Sequence, residues 1–175
     1  MERILPKRKP NRLNGFDYSA AGSYFITICT RQREKILSQV CVGEAICLPQ
    51  NPNGTLHLTG CGEMVKDAIL RIPEIYPSVS VDCYVIMPNH VHLILRIAFP
   101  EDGRQIASPT ISNVVGNMKR AVSKNAGRKI WQRSFHDHVI RDGEDYNEIS
   151  DYIEANPMNW EADCFYSEGE TNNPV

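Results

Sequence analysis

Residues 79–97 constrain this chain more than any other stretch. Val79 to Met87 and His90 to Ile97 are two strand-like runs, parted only by Pro88-Asn89. That break permits two adjacent antiparallel strands, or one strand bent at the proline. Within the second run stands His90-Val91-His92. Side chains of a strand alternate between faces, so the two imidazoles emerge side by side on one face. They form a ligand pair for a single divalent metal, held on a sheet rather than a loop. Such a pair is more often structural than metal-binding, so the rest of the sequence must supply what completes it.

The remaining pattern gives the frame. Ser23 to Thr30 is rich in aromatic and β-branched residues and reads as a strand. Val42 to Leu48 and Thr55 to Leu58 flank the polar turn 49–54, which suggests a short hairpin excursion over 41–59. Met64, Val65, Ala68, Ile69 and Ile72 recur at helical spacing, predicting a helix from about Gly62 to Ile72 that Pro73 and Pro77 end or kink. Ser108-Pro109 offers an N-cap and a first-turn proline for a helix whose apolar face is Ile111, Val114, Val115, Met118 and Val122, with Gly127 as its stop. A last strand lies within Ile130 to Ile140. Asp142 can cap a final helix from about Glu144 to Ala155, with Pro157 ending it. Without the excursion and the last helix the order is β-α-β-β-α-β, the split ferredoxin-like pattern. The expected class is α+β: a ferredoxin-like antiparallel sheet with helices on one face, plus a C-terminal helix. Residues 1–14 read as a basic arm, 15–165 as one domain and 166–175 as a frayed tail.

The 175 residues suffice for one domain with a real core. No run approaches the ~18 apolar residues of a membrane-spanning helix, and the N-terminal residues lack the apolar stretch of a secretory leader. The six cysteines contain no CxxC pair, which weakens a zinc-ribbon reading. A reduced, cytoplasmic protein is expected. The net charge of -2 conceals an asymmetry: residues 142–175 hold ten acids and no Lys or Arg, whereas 103–136 hold seven bases and no acid. Basic stretches of this kind attract phosphate backbones, although a solvated basic face is the plainer explanation.

The final helix carries a second pair, Tyr152 and Asn156, in Asp151-Tyr152-Ile153-Glu154-Ala155-Asn156-Pro157. Residues i and i+4 are neighbours on a helix surface. Tyr146, Ile149 and Ile153 would dock the helix, leaving Tyr152 and Asn156 at the border of that stripe, able to look across at the histidines. The Asn156 side-chain oxygen can serve as a third metal ligand. Tyr152 is then a candidate nucleophile beside the metal, of a type suited to a phosphodiester. A phenol with pKa ~10 is only about 0.1% ionised at neutral pH, so it needs activation. Two imidazoles and an amide oxygen leave a cation most of its charge, with which it can polarise the phosphate and stabilise the transition state. Mixed N/O ligation suits Mg²⁺ or Mn²⁺.

Four blocks in order resemble the REP-associated tyrosine transposases, a branch of the single-tyrosine HUH transposases. They are Tyr24-Phe25-Ile26-Thr27-Ile28-Cys29-Thr30, Met87-Pro88-Asn89-His90-Val91-His92, Trp131 through Arg141, and Asp151 through Pro157. The likeness spans roughly residues 10–160. It implies a metal-dependent enzyme that nicks and rejoins single-stranded, hairpin-forming DNA. Tyr152 would form a 5′-phosphotyrosine link, and His90, His92 and Asn156 would hold the metal. The expected partner is an imperfect palindrome folded as a hairpin, bound by a monomer or a homodimer. Arg8, Lys9 and Arg12 of the arm, together with Lys119, Arg120, Lys124, Arg128 and Arg133, are the residues expected to hold that DNA. The 41–59 excursion departs from compact members of the family.

Two alternatives stay open on the sequence. One is a non-catalytic nucleic-acid-binding module on the same fold. The other is a metal-dependent hydrolase that uses water in place of Tyr152. His136-Asp137-His138 is a second HxH and the main competitor for a metal, and Trp131 reads as core.

Overall fold

The computed structural model describes residues 16–41, 55–98 and 109–166. Its strands are β1 (Gly22–Cys29), β2 (Ser38–Cys41), β3 (Thr55–Leu58), β4 (Val79–Ile86), β5 (His90–Ile97) and β6 (His136–Ile140). Its α-helices are α1 (Gly60–Leu70), α2 (Ile72–Ile75), α3 (Ile111–Asn125) and α4 (Gly143–Ala155). The main sheet has the order β4-β5-β1-β6, and every neighbouring pair in it is antiparallel. With β1, α1, β4, β5, α3 and β6 as the unit, this is the ferredoxin-like arrangement expected from the element order.

Strand alternation divides the interior in two. Tyr24, Ile26 and Ile28 of β1 and Val91, Leu93, Leu95 and Ile97 of β5 face α1 and α3, whose Val65, Ile69, Val114, Val115, Met118 and Val122 complete one core. Intervening residues face the other way. There Val85, Met87 and Ile94 pack with Phe25 against Tyr146, Ile149 and Ile153 of α4 and against Trp160. The two-residue break at Pro88-Asn89 is resolved as a hairpin, since Met87 N–H donates to His90 O at 2.9 Å. β4 shifts register between Val81 and Cys83. Asp82, in that irregularity, accepts from Arg96 at 2.7 Å and from the Tyr146 hydroxyl at 3.3 Å, fixing α4 to the sheet.

Three boundaries differ from the sequence expectation. The partner of β3 is β2, Ser38–Cys41, rather than Val42–Leu48, and residues 42–54 lie outside the described residues. The cap of α3 is Thr110, whose Oγ1 accepts from Asn113 N–H at 3.2 Å, so Pro109 precedes the cap rather than following it. Ser108 lies outside the described residues. The first helix starts at Gly60 because Thr59 caps it through Gly62 N–H at 3.1 Å, and it stops at Leu70 before Pro73, which sits in the first turn of α2. Gly62 is required there: a Cβ would lie 2.0 Å from Leu37 O. The last helix fits the sequence closely, with Asp142 accepting from Asp145 N–H at 2.9 Å. Among the described residues, no helix is long and apolar enough to cross a membrane.

Candidate metal centre and nucleophile

His90 lies opposite Cys29 and His92 opposite Thr27 on β1. Their rings share the α4 face of the sheet, with centroids 4.4 Å apart. Each is gripped through Nδ1. His90 Nδ1 is 2.9 Å from Asn89 Oδ1, and His92 Nδ1 is 2.9 Å from Thr27 Oγ1. The Asn89 amide is itself oriented by donation from Nδ2 to Phe165 O at 2.9 Å. Asn89 Oδ1 can only accept, so the His90 proton sits on Nδ1 and Nε2 keeps its lone pair. This is the arrangement that fixes tautomer and ring orientation in metal-binding histidines.

The rings are closed in by α4 and by the segment after it. Phe25 stacks on His92 with centroids 5.2 Å apart, and Phe165 covers His90 at 4.6 Å. His90 is 0% and His92 1% exposed. Burial therefore lowers both imidazole pKa values. His90 falls to about 4, with the nearby Asp163 carboxylate opposing the shift, and His92 falls to about 2, with His90 adding to the effect. Both are neutral, and so competent as ligands, at any pH near 7.

α4 brings Tyr152 and Asn156 over the pair, one turn apart. The Tyr152 hydroxyl lies 3.3 Å from His92 Nε2, and its ring meets Phe25 edge-on at 6.2 Å. Tyr152 is 42% exposed, so the hydroxyl stands between the buried imidazoles and solvent. Burial, reinforced by the Asp163 carboxylate, raises its pKa to about 12. Asn156 is buried, and its Nδ2 donates to Asp163 Oδ2 at 2.9 Å. Two buried acceptors in this space, His90 Nε2 and Asn156 Oδ1, have no hydrogen-bond partner. Orphaned buried polar atoms are uncommon and costly, by about 1–3 kcal/mol each. A cation between them would satisfy both, so the donors present fit a metal.

Asp163 is the residue sequence reasoning missed. Its side chain is 1% exposed, and its Oδ2 lies 3.9 Å from His90 Nε2 and 3.4 Å from the Tyr152 hydroxyl. His90, His92 and Asp163 offer ligand atoms all within 4.8 Å of one another. No periodicity marks a position beyond Pro157. The available signal was an acid set among Trp160, Phe165 and Tyr166, too aromatic a stretch for a solvated tail. Arg33 was missed as well. It reaches Cys164 O at 3.1 Å and lies over the Phe165 ring, from a turn in which Gln32 and Arg33 both adopt left-handed φ, 55° and 58°.

The second HxH does not converge on a metal site. His136 and His138 are exposed on β6, and His138 Nε2 pairs with Asp145 Oδ2 at 2.9 Å. Trp131 is buried, as expected of a core residue. The basic residues of α3 sit behind the opposite face of the sheet from the histidines. The Lys119 ammonium is held by the carbonyls of Gln132, Arg133 and Ser134 at 2.7, 3.3 and 3.1 Å. With Arg120 and Arg133 it lines a cavity of about 560 Å³. Lys124 is exposed, and Arg128 lies 3.6 Å from Glu34. Arg8, Lys9 and Arg12 lie outside the described residues.

No protein-family model matches the chain. An uncharacterized protein of Haemophilus influenzae is 32% identical over 178 residues, covering 91% of this chain and 93% of that one. A REP-associated tyrosine transposase of Escherichia coli K12 is 26% identical over 142 residues, 81% of this chain and 69% of that one. A solved structure of a REP-associated tyrosine transposase bound to a REP hairpin has the same fold, with a TM-score of 0.55 at 23% identity over 80% of this chain and 68% of that one. With the ferredoxin-like sheet and the four sequence blocks in order, these likenesses make the chain similar to the REP-associated tyrosine transposases in sequence and in fold.

Proposed function

We propose that this protein is a metal-dependent transesterase that nicks and rejoins hairpin-forming single-stranded DNA, with Tyr152 as its nucleophile. The observation that carries the proposal is the Tyr152 hydroxyl 3.3 Å from Nε2 of His92, beside two buried acceptors without a hydrogen-bond partner, His90 Nε2 and Asn156 Oδ1. His90, His92 and Asn156 would hold Mg²⁺ or Mn²⁺. A divalent ion bound by neutral ligands supplies positive charge to a phosphate and stabilises its charge in the transition state.

The chain's own residues supply the rest. Tyr152 Oη attacks the scissile phosphorus, the bond from phosphorus to the 3′-oxygen breaks, and a 5′-phosphotyrosine forms. The phenolic proton is lost during attack and a proton is gained by the departing 3′-hydroxyl, so the step consumes neither water nor a high-energy cofactor. One phosphodiester replaces another, which makes rejoining by a 3′-hydroxyl the simple reverse. Thr27 and Asn89 hold the imidazoles in register through Nδ1. Phe25 sets the Tyr152 ring against His92. Because Tyr152 meets the histidines of its own chain, we assign the reaction to a single chain acting in cis. The cations Lys119, Arg120, Lys124, Arg128 and Arg133, with the arm residues Arg8, Lys9 and Arg12, would bind the hairpin backbone, and Lys119 also braces the loop ahead of β6.

A labelled single-stranded hairpin incubated with Mg²⁺ or Mn²⁺ should yield a covalent protein–DNA band that Tyr152→Phe abolishes. Intact DNA with every metal tried, while binding persists, would leave only the non-catalytic module. Cleavage that survives Tyr152→Phe would instead indicate a hydrolase with a water nucleophile.

A further inference from the structure

We propose that Asp163 is a fourth protein ligand of this metal, carried to it by the chain segment 157–166 that follows α4. The inference rests on the metal-site reading of His90 and His92.

Three electron-pair donors face one small space, two of them without a hydrogen-bond partner and the third a carboxylate without a cation opposite it among the described residues. His90 Nε2 and Asn156 Oδ1 accept nothing. The Asp163 carboxylate is 1% exposed, yet among the described residues no Lys or Arg pairs with it. Its hydrogen bonds come from neutral groups, Phe165 N–H, the Asn156 amide and the Tyr152 hydroxyl, so its charge is left for a cation to balance. The Arg33 guanidinium nearby is directed at Cys164 O and the Phe165 ring instead. A dication at the common point would answer all three donors at once.

The segment is built to deliver that carboxylate. Trp160 lies against His90 with centroids 5.9 Å apart. Phe165 N–H donates to Asp163 Oδ1 at 2.7 Å, which turns Oδ2 inward. Asn89 Nδ2 fastens Phe165 O at 2.9 Å, so the residue that orients His90 also anchors the segment. Asp163 Oδ2 further takes the Asn156 amide N–H at 2.9 Å, leaving Asn156 Oδ1 as the ligand atom. Two imidazoles, an amide oxygen and a carboxylate make a harder, anionic donor set than the first three alone, and that favours Mg²⁺ or Mn²⁺ over softer ions.

The test is an Mn²⁺ titration followed by electron paramagnetic resonance on the full chain, for wild type, Asp163→Asn, Glu161→Gln and His90→Ala. Asp163→Asn should weaken Mn²⁺ at least about tenfold. Glu161→Gln, an exposed acid of the same segment, should leave affinity unchanged. In wild type, Mn²⁺ should also slow amide hydrogen exchange over residues 163–166. Unchanged affinity in folded Asp163→Asn overturns the inference. So does weakened affinity without any change in exchange, which would make Asp163 only a positioning residue for Asn156. Should Asp163→Asn fail to fold, exchange in wild type decides alone: slowing supports ligation and no change refutes it. If His90→Ala binds Mn²⁺ like wild type, the metal-site reading itself has failed, which a silent Asp163→Asn alone would not show.

Discussion

Thr27 Oγ1 lies 2.9 Å from Nδ1 of His92, across the β1–β5 pair, where the two residues are in register. The contact fixes the far side of the ring and leaves Nε2 directed at Tyr152. Thr27→Val keeps the shape and β-branching of the side chain and removes only the hydroxyl. It should preserve the fold and weaken Mn²⁺ about 10–100-fold, the usual loss when a partner behind a ligand is removed. Isothermal titration of the folded variant checks this, and wild-type affinity would separate ring orientation from metal binding.

The metal-free protein should lose stability as pH falls. Both imidazoles have pKa values depressed by burial, to about 4 for His90 and about 2 for His92. The unfolded chain takes up these protons near pH 6.5, before the folded chain does, so stability falls as pH drops below that point. The contribution is fully present above pH 6.5. It declines with a slope approaching about 1.4 kcal/mol per pH unit for each histidine until the folded pKa is reached. Urea titrations of the apo chain between pH 7 and pH 4.5 should show the decline, and His92→Gln should flatten it.

If the tyrosine acts in cis, two defective chains cannot rescue each other. An equimolar mixture of Tyr152→Phe and His90→Ala should form no adduct, even at concentrations that favour association. Recovery of up to about a quarter of wild-type activity, the statistical share of composite sites that are intact, would indicate helices exchanged between chains.

The second histidine pair makes a useful control. His136 and His138 are exposed on β6, and His138 is engaged with Asp145. His136→Ala and His138→Ala should leave Mn²⁺ affinity unchanged, and His138→Ala should leave the denaturant midpoint close to that of wild type, because its contact with Asp145 is exposed. A large loss of metal affinity in either variant would move the site.

The frame was legible because periodicity reports which face of an element is buried. Val91, Leu93 and Leu95 alternate with His90, His92 and Ile94, and that pattern alone puts the imidazoles together on the α4 side of the sheet. Asp142 and the stripe Tyr146, Ile149, Ile153 likewise fixed the start and the docked face of α4. Asp163 was not legible, because its place depends on tertiary contacts: Asn89 to Phe165, Arg33 to Cys164, and Trp160 against His90. Lys119 shows the same limit from the other side. Its charge suggests a phosphate ligand; three backbone carbonyls also hold its ammonium, a contact that sequence spacing does not reveal. The cap of α3 was misplaced by two residues because Ser108-Pro109 and Thr110 are both acceptable starts, and the chain uses the threonine.

The most direct measurement is mass spectrometry of the wild-type protein after incubation with a single-stranded hairpin substrate and Mn²⁺, followed by nuclease and protease digestion. The expected result is one modified peptide spanning α4, with a nucleotide phosphate on Tyr152 and a free 3′-hydroxyl on the released DNA. Cleaved DNA with no modified tyrosine, or a phosphate on any other residue, would contradict the assignment of Tyr152 as the nucleophile.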